Sequence, residues 1–358
     1  LPRVARGMKR RTFVWLGLLT ALMLLATAAT VGSAAFAVAA LVAILPLPIY
    51  IAGALWLDRF EPEPRGMLAM AFLWGASVAV LLSGTVNETM DAAIGEQMST
   101  VVTAPLVEEC LKAVILIRIY TSRKYEFDGV IDGIIYASMV GLGFAFAENL
   151  DYYGRALAAD GLGGLALTFT LRGVVAPFSH PMFTAMTGLG LGLARQTRRR
   201  WVRFVAPVAG LCGALLLHSA WNAGASAGCV FFAVYALVMM PALAGLLVVA
   251  GFALRREGRL IREQLEPEAK LGVLGADDIV QLSSVRGRLH ASVDAFRRGR
   301  LSGWRQRRAF HQAASELAFL RHRVACGDQP PDPDLEASYV NLLATLAAKP
   351  PAAGITLL

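Results

Sequence analysis

The sequence predicts an all-α protein: a polytopic membrane helix bundle of about eight transmembrane helices with a small helical cytoplasmic C-terminal region. Three observations lead there. The 358 residues are 56% hydrophobic and only 17% charged, with a mean hydropathy of +0.55. The apolar residues fall in runs of about 18 or more, the length that crosses a bilayer core. Arginine-rich and acid-leaning loops alternate between those runs. The composition excludes a disordered or collagen-like chain, and the blocks exclude an ordinary soluble domain. The net charge of +8 then reads as a topology signal rather than a nucleic-acid footprint. Cys110, Cys212, Cys229 and Cys326 show no CxxC spacing, and three of them lie in apolar runs, which argues against a disulfide framework or a cysteine zinc site.

Along the chain, the first run is Phe13 to Ala29, preceded by Arg3, Arg6, Lys9, Arg10 and Arg11. It reads as a retained helix rather than a cleaved leader, because a second run, Phe36 to Leu57, follows at once. The others are Met67 to Ser83, Val101 to Ile119, Gly129 to Asn149, Leu165 to Ala194, Phe204 to Ala223 and Cys229 to Leu254. The sixth is too long for one span; Pro177 and Pro181 divide it into an interfacial segment and a span starting near Phe178. Asp128 and Asp132 open the fifth run and read as helix caps rather than cation ligands. Gly188 and Gly192 give a GxxxG packing signal. The basic loops fall on one side, which places both termini in the cytoplasm; abundant Ala, Arg and Gly suggest a bacterial source, and so a multi-pass protein of the bacterial plasma membrane. Three regions follow: residues 1–34 as an N-terminal segment and first helix, 35–254 as a membrane core, and 255–358 as a helical tail. The tail carries 16 Lys/Arg against 12 Asp/Glu. Apolar residues recur at helical spacing through Asp277–Phe296 and Arg308–Val324, and the string Asp328–Pro333 breaks the pattern. Trp304, His290, His311 and His322 have no metal-like grouping.

A charge inside a bilayer costs about 2.5–3.5 kcal/mol on insertion scales, so each ionisable residue in a span needs a reason. The fourth run holds Glu108, Glu109 and Lys112. Glu108 and Lys112 are four apart and share a face, so the lysine compensates one carboxylate; Glu109 points about 100° away. The fifth run ends in Glu148-Asn149, the sixth holds His180, and the seventh holds His218 with Asn222 one turn on. Counted at about 1.5 Å per residue, these positions lie roughly 20–30 Å above the cytoplasmic ends of their helices. Such agreement among four helices points to one polar cavity holding a metal or a carboxylate pair.

At these residues the chain resembles the PrsW family of intramembrane proteases, in a clan with the CAAX prenyl-protein endopeptidases and bacteriocin-processing relatives. The matching strings are Glu108-Glu109-x-x-Lys112, Phe127-Asp128-x-x-x-Asp132-Gly133-x-x-Tyr136, Gly141-Leu142-Gly143-Phe144 leading to Glu148-Asn149, His180, and His218-x-x-Trp221-Asn222. The resemblance covers residues 35 to 255. Glu148 stands where the prenyl-protease branch carries a histidine, which favours the PrsW branch.

The resemblance implies peptide-bond hydrolysis in or beside the membrane, on single-span membrane proteins such as anti-sigma factors. It implies a Zn2+ site of Glu148, His180 and His218, with Glu108 as general base held near a Glu109–Lys112 ion pair and Asn222 orienting His218 or donating to the oxyanion. A metal-free alternative has Glu108 activate water directly, with His180 as its partner and His218 and Asn222 as oxyanion donors. Two other classes compete: a non-catalytic scaffold of the same fold, with the tail as its working part, and a proton-coupled transporter. Gly224-Ala225-Ser226-Ala227-Gly228 matches a nucleophile elbow by letter, but it sits in a turn between two spans, not between a strand and a helix.

Overall fold

The computed structural model describes residues 10–327 and 332–348, and every element among them is helical. They form two compact units: the stretch up to Leu57 with Glu63–Ala250, and Asp58–Pro62 with the stretch from Gly251. Arg3, Arg6, Lys9 and most of the Asp328–Pro333 breaker lie outside the described residues.

The first unit opens with α1 (Arg10–Val31), α2 (Ser33–Ile44) and α3 (Leu47–Leu57). Pro46, with no N–H to give, interrupts the helix between the last two. Helices α4 (Arg65–Trp74) and α5 (Val80–Ile94) are joined by a π-turn at Gly75–Ala79. A short α6 (Glu96–Met98) and a second π-turn, Ser99–Thr103, lead into α7 (Ala104–Ser122), which has Pro105 in its first turn. Helix α8 (Val130–Phe169) begins where the Asp132 carboxylate accepts the backbone N–H groups of Asp128 (2.9 Å) and Gly129 (2.7 Å), a cap as expected from the sequence. A third π-turn (Thr170–Val175) precedes α9 (Ser179–Gln196). Then come α10 (Arg200–Ser226), α11 (Val230–Val234), a fourth π-turn at Tyr235–Met239 and α12 (Met240–Lys270).

Among the described residues, six helical stretches are long and apolar enough to cross a membrane: Arg11–Val31, Ser33–Leu57, Arg65–Ile94, Val130–Gln196, Arg200–Ser226 and Val230–Lys270. The chain is thus a polytopic helical membrane protein. The difference from eight runs has two sources. Helix α7 carries Glu108, Glu109, Lys112 and Arg118, too many charges to count as apolar. The fifth and sixth runs belong to one stretch of 67 residues, roughly 100 Å if straight and about three times the bilayer core. The fifth helix also runs on past Asn149, since nothing there stops it. The first breaker is Gly161, at φ +63°.

That stretch folds back so that α9 lies antiparallel on α8. The backbones approach closely where glycines face them. A methyl added to Gly192 would stand 2.5 Å from the Gly129 carbonyl oxygen, and one on Gly141 would stand 2.6 Å from that of His180. Gly133 and Gly188 oppose each other's carbonyls still more closely. This is the small-residue packing that membrane helices use in place of a hydrophobic drive. Gly210 of α10 meets the Met186 carbonyl of α9 in the same way, at 2.5 Å, so α8, α9 and α10 form a continuous packed layer.

The second unit consists of the Asp58–Pro62 loop, the end of α12 from Gly251, α13 (Ala276–Leu282), α14 (Val285–Ala325) and α15 (Leu335–Ala348). Helix α14 is a hairpin, reversed at Gly299 and at Arg300, whose φ is +49°. Phe60, Ile261, Leu265, Leu282, Phe310, Leu317 and Leu343 form its buried core. Arg288 is buried among them. It donates to the Leu282 carbonyl (2.7 Å) and to Ser315 Oγ (2.8 Å), and its guanidinium lies 4.6 Å from the Phe60 ring centre. Burial lowers its pKa to about 9. His311 is buried nearby with Nε2 lacking a hydrogen-bond partner, and desolvation, then Arg288 and Arg307, push its pKa well below the usual imidazole range.

Two predictions follow from this packing. Gly188→Leu should lower the melting temperature of the detergent-solubilised protein by roughly 2–10 °C, from about 1–3 kcal/mol of overpacking. Gly84→Leu, at a glycine with open space around it, should leave the temperature within a degree or so; equal effects would contradict the glycine interface. For His311, the unfolded state takes up a proton below about pH 6.5 that the folded state refuses. The second unit should therefore be stable above that pH and lose about 1 kcal/mol per pH unit on acidification below it. Hydrogen exchange in α14, corrected for intrinsic rates, should speed up between pH 7 and 5.5, and His311→Phe should flatten the dependence.

Candidate active site

Helix α7 supplies Glu108, Glu109 and Lys112, all buried. The ammonium of Lys112 serves both carboxylates. It lies 2.8 Å from Glu109 Oε1 and 3.4 Å from Glu108 Oε2, so the nearer partner is the residue three positions away, not the one that shares its face at four. The third N–H of Lys112 points to His180 Nδ1 at 3.3 Å, and the ammonium stands 3.6 Å from the Phe144 ring centre. Glu109 is fully engaged: besides Lys112 it accepts Thr184 Oγ1 at 3.0 Å and contacts His218 Nδ1 at 3.1 Å. Glu108 is held loosely, with Asn87 Nδ2 on Oε1 at 3.4 Å and His218 Nε2 opposite Oε2 at 3.7 Å.

Helix α8 brings Glu148 to His180 from the other side. Glu148 Oε2 takes His180 Nε2 at 2.8 Å and the guanidinium of Arg172, which leaves the third π-turn and also donates to Asn149 Oδ1 at 2.7 Å. An ionised carboxylate only accepts, so the two histidine tautomers follow. His180 carries its proton on Nε2, facing Glu148, and offers the lone pair of Nδ1 to Lys112. His218 carries its proton on Nδ1, facing Glu109, and its Nε2 lone pair looks at Glu108 Oε2. With Glu108 ionised, two acceptors face each other with no hydrogen between them, a place that a water or a cation would satisfy. The charges agree: three carboxylates stand against two fixed cations, Lys112 and Arg172.

Ligand atoms of Glu108, His180 and His218 lie within 4.8 Å of one another, all three residues buried. Two imidazoles and a carboxylate are a donor set of catalytic zinc sites. A tetrahedral ion at about 2.0–2.1 Å wants its donors roughly 3.3 Å apart, so the group fits after a modest contraction, with Lys112 turned fully to Glu109. The structure therefore gathers Glu108, Glu109, Lys112, His180 and His218. Glu148 touches His180 but is not in the three-donor group. Asn222 is directed elsewhere: its Nδ2 donates to the Thr100 carbonyl, at 2.8 Å, in the second π-turn. Sequence reasoning did not assign Asn87, Phe144, Arg172 or Thr184 to the site. Thr184 was within reach of it, one helical turn after His180. Arg172 lies inside the long sixth apolar run, outside the matching motifs.

A family model described as PrsW family intramembrane metalloprotease matches residues 63–246. The chain is similar to curated relatives named Protease PrsW. That of Clostridioides difficile is 38% identical over 120 residues, 31% of this chain and 49% of the relative. That of Geobacillus kaustophilus is 28% identical over 157 residues, 42% and 66%, and that of Oceanobacillus iheyensis 30% over 156 residues, 42% and 63%. The chain thus spans about half to two thirds of the length of these relatives. No solved structure matches significantly.

Removing the central ammonium tests the charge arrangement. Lys112→Met leaves two adjacent carboxylates buried without their shared counter-charge and should destabilise the protein by about 3–5 kcal/mol, seen as a lower melting temperature in detergent. The double variant Glu109→Gln/Lys112→Met should recover part of that loss. No recovery would mean that Lys112 matters for packing rather than for charge.

Proposed function

The chain belongs to the PrsW family of intramembrane metalloproteases, and on that premise we propose that it is an intramembrane endopeptidase that hydrolyses a peptide bond of a membrane-anchored protein. The observation that carries this reading is the unequal treatment of two neighbouring carboxylates. Glu109 is fixed by three short contacts, whereas Glu108 has only long ones and faces the free lone pair of His218. Glu108 is the group left free to take a proton from water, the work of a general base. Glu109 and Lys112 are positioning residues: Glu109 fixes the tautomer of His218, and Lys112 holds the two carboxylates together. Glu148, held by Arg172, fixes the tautomer of His180 in the same way that outer-shell carboxylates orient histidine ligands. The Asn222–Thr100 bond supports a bracing role for Asn222 between α10 and the turn before α7, in place of donation to an oxyanion.

Where zinc is bound, Glu108, His180 and His218 would hold it, with Glu148 behind His180, and Glu108 would then serve as a ligand in place of general base. Such an ion supplies an activated water and polarises the scissile carbonyl when bound. The substrate class is a single-span membrane protein, for which an anti-sigma factor is the family's example. The alternation of basic and acidic loops supports cytoplasmic termini. The scaffold reading needs none of these free acceptors, and the transporter reading has no inverted repeat to support it.

Glu108→Gln should reduce cleavage of a co-expressed single-span substrate by about 10²–10⁴-fold while the protein still inserts and melts normally. Unchanged cleavage would remove Glu108 from the chemistry. Elemental analysis of the purified protein should find a transition metal that chelator removes, and His218→Ala should lower its content. A metal-free protein with full cleavage would favour the direct glutamate mechanism, and no cleavage by the unaltered protein would favour the scaffold.

A further inference from the structure

The first arm of the α14 hairpin has two opposite faces. Arg288, Ala291, Ala295 and Gly299 are buried. On the other side Leu289, Val293 and Phe296 are 50%, 40% and 47% exposed, and at 100° per residue they fall within about 60° of one another. Leu301, just past the reversal, is 52% exposed. The same tip is strongly basic. Arg286, Arg297, Arg298 and Arg300 are exposed, and between Val285 and Arg308 the sequence has eight arginines against one acid, Asp294. The reversal brings Phe296, Arg297, Arg298, Arg300 and Leu301 to one corner, because Gly303 of the second arm packs on the Ala295 carbonyl of the first.

We propose that this corner, Leu289 to Leu301, is a docking surface for an anionic lipid bilayer: arginines on lipid phosphates and Leu289, Val293, Phe296 and Leu301 in the acyl boundary. An apolar stripe flanked by arginine is what an interfacial helix needs. Nucleic acid would use the arginines but leave four exposed apolar side chains unexplained. A bilayer is also always at hand, because the same chain crosses one. The proposal does not depend on the protease reading.

The test uses the full chain in nanodiscs. Cys110, Cys212, Cys229 and Cys326, all exposed, are replaced by Ser, and an NBD fluorophore is attached through Val293→Cys. In phosphatidylcholine mixed with phosphatidylglycerol the emission should shift to the blue and be quenched by brominated acyl chains, at least threefold more than in phosphatidylcholine alone. Added salt should weaken the difference, because exposed charges are screened. The variant Arg297→Glu/Arg298→Glu/Arg300→Glu should abolish it. The salt series needs no arginine change, so it stands if that variant misfolds. Equal emission in both lipids, or a difference that salt leaves untouched, overturns the proposal. So does a shift produced only by an added oligonucleotide, or only when two chains share a disc.

Discussion

Backbone contact between α8 and α9 is the constraint on which the rest depends. The facing positions 129 and 192, 133 and 188, and 141 and 180 run in opposite directions along the two helices, so one register holds over about three turns. Beyond it, Glu148 of α8 meets Arg172 of the turn that precedes α9 and His180 in the first turn of α9. Any side chain larger than hydrogen at these glycines would push the helices apart. The site would then lose the geometry that lets one carboxylate oxygen meet a guanidinium and an imidazole together.

The charges inside the bundle are tolerated because they satisfy one another almost completely. Replacing a buried ion pair by hydrocarbon is often neutral or better for stability, so such a cluster argues for use rather than for strength. The use is visible in what is left over. Each N–H of Lys112 has an acceptor, both oxygens of Glu109 are taken, and Arg172 closes Glu148. The one mismatch, His218 Nε2 against Glu108 Oε2, sits where water chemistry would take place.

Much of this was legible in the sequence. The apolar runs gave the membrane bundle. A charge in such a run is conspicuous because hydrocarbon penalises it, so Glu108, Glu109, Lys112, Glu148, His180 and His218 stood out. Pro177 and Pro181 placed the start of α9 to within a residue or so. What was not legible was partnership. The face-sharing rule paired Lys112 with Glu108, whereas the family resemblance implied the Glu109–Lys112 pair, and the ammonium lies closer to Glu109. Arg172 lay outside the motifs, and its role depends on a fold-back that no local pattern announces. The extension of α8 beyond Asn149 was missed because hydropathy marks where apolar character fades, not where hydrogen bonding stops. Thr184 and Asn87 looked like ordinary polar residues until their distances to the carboxylates were known.

The four π-turns have a bearing on how such a chain can vary. Each wide turn frees backbone carbonyls, and at two of them side chains from elsewhere take up the acceptor: Asn222 at Thr100 and Tyr235 at Val175. A bond given up within one helix becomes a tie between two. Each turn also holds one residue more than an α-helix needs, so deleting a residue from Ser99–Thr103 would restore a regular spiral while swinging Glu108 and Glu109 by about 100°. These segments should accept a change of side chain far more readily than a change of length.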